Sequence, residues 1–418
     1  MRILIVSFPF APAALVGAHR WQAMRDHLRE RGHEVTVVTT SAFGALDDDA
    51  RQDVVRTTDL MASTTLRRLL RRPPLPARGS AAVADTPAPG LLTKVVVPDG
   101  YLVSWTPFAL AAVRRLLRER ACDAVVTTSP YESVHAIGLA LRGRWPWIAD
   151  FRDGWRFEPH RPPFPTALQE RADAVLERRV ARRADAVIAA TEPIAADFRD
   201  RLGVSAQWVP NGWDPRLDVA LPDLGRPGSE EGWRTIAHTG VLSGPRGRDP
   251  RPFLGALAAF NARADGGPRI RLLLAGRQST QDERLLREAG LGDAVHDLGQ
   301  LDRGAAVALQ RSADALLLMT GDDRSEATGK LFEYLQAGRP ILALAAGNEA
   351  ARIIADTRTG LCVARDDRES IEGALRRIAE GSFASVHDPT GLERFTYPGP
   401  ALAVEGILED VLRRRSAH

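Results

Sequence analysis

The hydrophobic pattern of this chain alternates between two periods, and that alternation restricts the fold more than any other feature. Apolar runs of strand length, such as residues 3–8 and 35–39, flank a longer segment, 18–31, whose apolar residues recur at helical spacing. Short runs that are apolar throughout are strands buried on both faces, and parallel strands need crossover helices. The rhythm breaks over 41–100, where Leu66-Arg-Arg-Leu-Leu-Arg-Arg enters a Pro/Ala/Gly-rich tract. An irregular insertion with a basic amphipathic piece is expected there. Alternation resumes with helices over 107–120, 133–142, 166–183 and 194–201, and strands over 124–128, 147–151, 186–190 and 207–210. A polar Gly/Pro-rich stretch, 211–232, interrupts it and marks a domain boundary. A second series follows, with strands over 235–238, 270–275, 295–298, 315–319, 341–344 and 361–364, and a closing helix over 401–414. Two Rossmann-like domains are therefore expected.

Size agrees with two domains. The chain has 418 residues, 44% of them hydrophobic, and a single core stops growing near about 250–300 residues. Disordered, collagen-like and coiled-coil classes are excluded for the bulk. Cys122 and Cys362 lie far apart with no Cys/His pairing nearby, so neither a disulfide framework nor a zinc site is indicated. The N-terminus reaches Pro9 too soon for a signal-peptide core, and no apolar run of about 18 residues follows. A soluble, cytoplasmic protein is the expectation.

Charge says little about partners until it is divided. The 56 basic and 53 acidic residues leave +3, and a pI of 9.2 suits acidic ligands or a membrane surface only in a general way. No aromatic-interleaved basic stripe points to nucleic acid. Lys94 and Lys330 are the only lysines, so 54 of the 56 are arginines. GC-rich coding, as in high-GC bacteria, produces such a skew, and a lysine kept within it deserves inspection.

Neither half carries the full Gly-x-Gly-x-x-Gly fingerprint or a Walker loop; the cluster Gly240 to Gly247 lacks the spacing, which disfavours nicotinamide and flavin. The densest constellation is Ser325-Glu-Ala-Thr-Gly-Lys-Leu-Phe-Glu-Tyr-Leu-Gln-Ala-Gly-Arg-Pro340, after the strand over 315–319. Thr328, Gly329, Lys330 and Leu331 should open a helix whose free amides form an anion site. Lys330 and Glu333 are three apart on one helical face. One can neutralise a diphosphate while the other accepts hydrogen bonds from a sugar hydroxyl pair, as nucleotide-sugar binding requires. The plain alternative is an intrahelical ion pair on a solvated face; the position beyond a strand's carboxyl end favours the site.

With these residues the chain resembles retaining glycosyltransferases of the GT-B fold, family 4 (group 1). The resemblance rests on Lys330-Leu-Phe-Glu-Tyr-Leu-x-Ala-Gly-Arg-Pro-Ile341, Pro210-Asn-Gly-Trp-Asp214, Gly17-Ala-His-Arg20 and Asp150-Phe-Arg-Asp-Gly-Trp155, in the expected order over nearly the whole chain outside 41–100. It implies two Rossmann-like doubly wound α/β domains facing a central cleft. The N-terminal one, 1–213, would bind acceptor; the C-terminal one, 214–395, would bind donor; a helix within 396–418 would pack back on the first.

In that family a Glu, seven residues and a second Glu bracket the donor site. Glu333 matches the second, on the nucleotide ribose; the register position of the first holds Ser325, with Glu326 one place off. The sugar contact then falls to Glu326 or to backbone, or catalysis is weakened. The resemblance also implies a phosphate loop in which Thr239 and Gly240 allow close approach and Arg248, or Arg246, reaches the phosphates; a solvated loop is the alternative. Gly276, Arg277 and Gly299 would lie near base and sugar, unless these glycines merely turn the chain. In the first domain Gly17 would let a ligand approach the backbone, and His19 and Arg20 open a helix. His135 stands where family members present a residue to the donor sugar, although a lone His is commonly structural. Arg152 and Asp153 would bind acceptor, with Trp155 as a stacking face, or the two charges simply pair. Catalysis is expected of His135, Arg248, Glu326 and Lys330.

No cofactor and no catalytic metal are implied: the co-substrate is a nucleotide-diphosphate sugar, UDP-sugar favoured, and the acceptor a natural product or cell-envelope glycan. Asp47-Asp-Asp49 and Asp322-Asp323 read as polar loops. The arginines of 66–72 allow peripheral contact with anionic lipid or form a solvated face. A nucleotide-sugar epimerase or a pseudo-glycosyltransferase would share the fold, as would a catalytically silent partner of another transferase.

Overall fold

The computed structural model describes residues 1–13, 16–45, 49, 53–61, 94–141, 143–159, 162–217, 221–223, 225–244, 247–345 and 347–417. Asp47, Asp48, Arg246 and the basic segment 66–72 lie outside them. The chain divides into two units, Met1–Asn211 with Tyr397–His418, and Gly212–Thr396.

The described strands of the first unit are β1 (Arg2–Ser7), β2 (Glu34–Thr40), β3 (Val54–Thr57), β4 (Ala124–Thr128), β5 (Trp147–Phe151), β6 (Ala186–Ala189) and β7 (Ala206–Trp208). They form one parallel sheet in the order β3-β2-β1-β4-β5-β6-β7. Its helices are α1 (Val16–Glu30), α2 (Tyr101–Ser104), α3 (Thr106–Glu119), α4 (His135–Ala140), α5 (Ala167–Arg183), α6 (Glu192–Leu202) and α13 (Gly399–Ser416). Because successive side chains point to opposite faces, β1 serves two cores. Ile3 and Ile5 pack with Trp21, Met24 and Leu28 of α1 and Val404 and Leu408 of α13. Leu4 and Val6 pack with Trp105, Val113 and Ile137 on the other side. β3 corrects the sequence reading, which left 41–100 without pattern. It is a short edge strand, paired from Val37↔Val54 to Thr40↔Thr57, and four residues do not establish a period.

The second unit holds β8 (Trp233–Thr239), β9 (Arg269–Ala275), β10 (Val295–Asp297), β11 (Ala315–Met319), β12 (Ile341–Leu344) and β13 (Gly360–Val363), with α7 (Arg251–Ala262), α8 (Thr280–Glu288), α9 (Arg303–Ser312), α10 (Gly329–Ala337), α11 (Glu349–Thr357) and α12 (Arg368–Ala379). Its parallel sheet runs β10-β9-β8-β11-β12-β13. In both sheets the order reverses beside the first strand, at β1/β4 and at β8/β11, where the loops leaving the carboxyl ends diverge and open a crevice. Among the described residues no helix is long and apolar enough to cross a membrane.

Candidate active site

In the second unit the loops leaving β8 and β11 flank the reversal point, and α10 begins there at Gly329. Thr328 stands at its N-cap with an extended backbone, but its side chain does not cap the helix; the hydroxyl is buried without a hydrogen-bond partner. The leading amides and the positive end of the helix dipole thus face the loops. Leu331 contributes only backbone, since its side chain lies in the core.

Lys330 reaches across this helix start onto Gly240. A Cβ at Gly240 would lie 2.6 Å from Lys330 Cε and 2.7 Å from Nζ, and Gly240 has a φ of +104°. Gly240 rests in turn on Gly276, φ +132°, whose added Cβ would fall 2.8 Å from Gly240 Cα. Gly240 and Gly276, at two strand ends, thus nest to leave room for one ammonium group, and Gly276 N–H donates to the Gly299 carbonyl at 2.7 Å. The Lys330 Nζ is 3.5 Å from the Val241 carbonyl. Burial, reinforced by the Arg248 charge, lowers the Lys330 amine to about 8, while Glu333, Asp282 and Glu326 oppose that shift.

Arg248 Nη2 donates to Glu326 Oε1 at 2.7 Å, and Glu326 Oε2 accepts from Gly321 N–H at 2.7 Å. Glu326 therefore ties the guanidinium to the loop after β11, and Arg248 Nε is left buried without a partner. Asp282 fixes the glycine loop from the other side, accepting from Ser243 N–H at 2.9 Å and from Ser279 Oγ at 2.8 Å. Burial pushes the Asp282 carboxyl up, but the hydrogen bonds from Ser243 and Ser279 together hold it below the ordinary range. One turn beyond Lys330, burial raises the half-buried Glu333 carboxyl, against Arg303, Gln310 and Lys330, which pull it down. Thr239 is held by Gln310 Nε2, which donates to its hydroxyl at 3.0 Å, and by Tyr334, whose hydroxyl oxygen accepts from Thr239 N–H at 3.0 Å.

Thr239, Gly240, Arg248, Gly276, Glu326, Thr328, Gly329, Lys330 and Glu333 thus gather at one end of the sheet. Arg277 is exposed and joins none of the hydrogen bonds above. Gly299 turns the chain after β10 with its N–H on Asp297. Asp282, Gln310 and Tyr334 were not foreseen; for Asp282 a signal existed, since Ser279-x-x-Asp282 is a capping box that opens α8.

The first unit alters several expectations. Asp150, buried at the end of β5, accepts from Arg20 at 3.2 Å, Trp21 at 2.6 Å and Thr128 at 2.7 Å. Arg20 also donates to Val209 O, Pro210 O and Asn211 Oδ1 and is only 4% exposed, so its expected acceptor contact is corrected to a structural ion pair. Trp155 is corrected as well: its ring is buried beside Phe151, and its indole N–H donates to Asp173 at 2.9 Å, leaving no face for a sugar. Arg152 and Asp153 pair with each other at 2.8 Å. His135 lies wholly in the interior, 4.5 Å from the Phe151 ring centroid. His135 Nδ1 is hydrogen-bonded to Thr127 Oγ1 at 2.8 Å, the hydroxyl that also accepts from Trp147 Nε1, and His135 Nε2 is buried and unpartnered. Burial lowers the ring to about 3, so His135 is neutral at physiological pH, and its expected role at the donor sugar is corrected to a core position. His19 is exposed on α1, and Gly17 lies in the first turn of that helix. A groove among Arg2, Arg29, His33 and Arg120 opens at the amino ends of β1 and β2, the opposite edge from the ligand-binding end of a parallel sheet.

Two doubly wound parallel units of this order define the GT-B class of glycosyltransferases. Residues 17–212 match the glycosyl transferase 4-like domain, and residues 234–380 match the glycosyl transferases group 1 domain. The chain belongs to this glycosyltransferase family. It is similar in fold to sucrose-phosphate synthase from Thermosynechococcus elongatus, at 18% identity over 99% of each chain and a TM-score of 0.66. It is similar also to WaaG, a glycosyltransferase involved in lipopolysaccharide biosynthesis, at 18% identity over 97% of this chain and 99% of that one, TM-score 0.56. Anabaena Alr3699/HepE in complex with UDP and glucose shares 16% identity over 98% of this chain and 100% of that one, TM-score 0.54. No curated protein matches the chain by sequence.

Proposed function

We propose that the protein is a retaining, metal-independent hexosyltransferase. It takes sugar from a nucleotide-diphosphate donor, UDP-sugar favoured, to a natural-product or cell-envelope glycan acceptor. The observation that carries this reading is the Lys330 ammonium laid over Gly240 at the start of α10, with Arg248 beside it and Glu333 one turn on. A fold relative holding UDP and glucose supports the donor class.

In the proposed step the bond between the anomeric carbon and the β-phosphate oxygen breaks as the acceptor oxygen bonds to that carbon from the same face. The acceptor proton passes to the departing phosphate. Negative charge grows on the diphosphate, so Lys330, Arg248 and the helix amides act most strongly in the transition state. Glu326 is a positioning residue that works through Arg248, and Glu333 accepts from the ribose hydroxyls.

A thermal-shift panel of UDP, GDP, dTDP and ADP sugars tests the reading. A UDP-sugar should stabilise selectively, by about 2.7 kcal/mol when present at a hundred times its dissociation constant, and should be consumed only with acceptor present. Donor turnover without acceptor would make the protein an epimerase, and no response to any donor would remove the enzymatic reading.

Lys330 also sets a pH dependence. Its folded-state value near 8 lies below the ordinary lysine value, so the charged amine opposes folding at neutral pH and that cost is relieved as pH rises above about 8. A bound diphosphate favours the charged amine, so UDP affinity should hold up to about pH 8 and then weaken by up to about tenfold per pH unit. Calorimetric titration between about pH 7 and 9, with Lys330→Ala as the flat control, measures this; equal slopes in both proteins would exclude Lys330 as the phosphate contact.

A further inference from the structure

We propose that the outward face of α5 (Ala167–Arg183) docks the protein on an anionic lipid surface. The inference uses the first unit alone and does not depend on the reading of the second unit's site.

α5 separates its charges by sign. Its acids point inward: Glu170 and Asp173 receive Arg156 at 3.0 and 3.2 Å, and Glu177 receives Arg201 at 2.7 and 2.8 Å. The opposite face carries Arg171, Arg178, Arg179, Arg182 and Arg183, all exposed. Among the described residues none of these five has an ion pair or side-chain hydrogen bond. At 100° per residue, 168, 172, 175, 179 and 182 fall on one stripe, so the arginines flank Leu168 and Val175 rather than standing apart from them.

Those two side chains are 76% and 62% exposed, more than any other large apolar residue described, and Val95 follows at 59%. Val95 belongs to the same patch: Gln169 Nε2 on α5 donates to the Lys94 and Val95 carbonyls at 3.0 and 3.1 Å. Lys94, the second of the chain's two lysines, is exposed there too.

A face that projects leucine and valine among unpaired arginines matches the headgroup layer of an anionic bilayer, where short apolar side chains enter the acyl boundary and guanidinium groups meet phosphate. A second copy of the chain would bring the same positive face against itself. A polyanion such as RNA would leave Leu168, Val175 and Val95 unburied.

The test is co-sedimentation of the full chain with phosphatidylglycerol-rich vesicles and with pure phosphatidylcholine vesicles. The protein should partition onto the first and not the second. The triple variant Arg171→Glu/Arg178→Glu/Arg182→Glu should lose at least about tenfold in partitioning, and Leu168→Ser/Val175→Ser should weaken binding with the helix charge unchanged. Because these side chains are exposed, both variants should melt as the wild type does and turn over a water-soluble acceptor at the wild-type rate. Equal binding to both vesicle types, no binding to either, or full binding by the triple variant would overturn the proposal. Capture on immobilised heparin without binding to vesicles would overturn it in favour of a polyanion or acidic protein.

Discussion

Lys330→Ala is expected to lower turnover about a hundredfold, the loss of one preorganised contact to the charge that develops on the leaving group, while the melting temperature does not fall. The second half of the result follows from the environment of the amine. Burial and Arg248 disfavour its charged form, so truncation removes a group that opposes folding in the free protein. Lys330→Arg should not restore activity. The nest formed by Gly240 and Gly276 admits a methylene and a compact ammonium, and a planar guanidinium needs more width. Steady-state kinetics beside a melting curve measure both quantities; wild-type turnover in Lys330→Ala would end the assignment.

Gly276→Ala is expected to damage the second unit and its donor loop together. The added carbon would meet the Gly240 backbone 2.8 Å away, at a φ of +132° that side chains rarely adopt, and neither strand end is free to withdraw because Gly240 N–H donates to Ala275 O and Gly276 N–H to Gly299 O. A cost of about 2–3 kcal/mol corresponds to a fall of roughly 5–10 °C in Tm for a unit of this size, and donor affinity should drop with it as Gly240 shifts under Lys330. Gly299→Ala is the control. Its φ of +64° is also left-handed, but nothing lies within 4 Å of the added carbon, so only the smaller conformational cost of about 1 kcal/mol applies. Equal melting temperatures for the two variants would show that the nest is not rigid.

Much of the fold was legible because buried parallel strands are apolar throughout and end on turn residues. The strands over 124–128, 147–151, 315–319 and 341–344 have the same bounds in sequence and structure. β3 escaped because Val54–Thr57 offers too few residues for a pattern and owes its existence to pairing with β2. At the site, Lys330 stood out because a rare residue type coincided with a helix start. Arg20 and Trp155 misled for one reason: local sequence shows a side chain's chemistry but not its partner. Arg20 meets Asp150, 130 positions away, and Trp155 turns inward to Asp173. His135 shared that fate, since a ring just after a strand can lie in the core as readily as at the mouth of a site.

The closing helix has a consequence for how the molecule is made. Tyr397 gives its hydroxyl proton to Arg20 O, and Val404, Leu408 and Val411 belong to the same core as Ile3 and Ile5. In topological terms the second unit is an insertion within the first, since Gly212–Thr396 is continuous and the first unit is not. On a ribosome, therefore, the first unit's strands emerge earliest, yet their core is closed last, after the inserted unit has been synthesised whole.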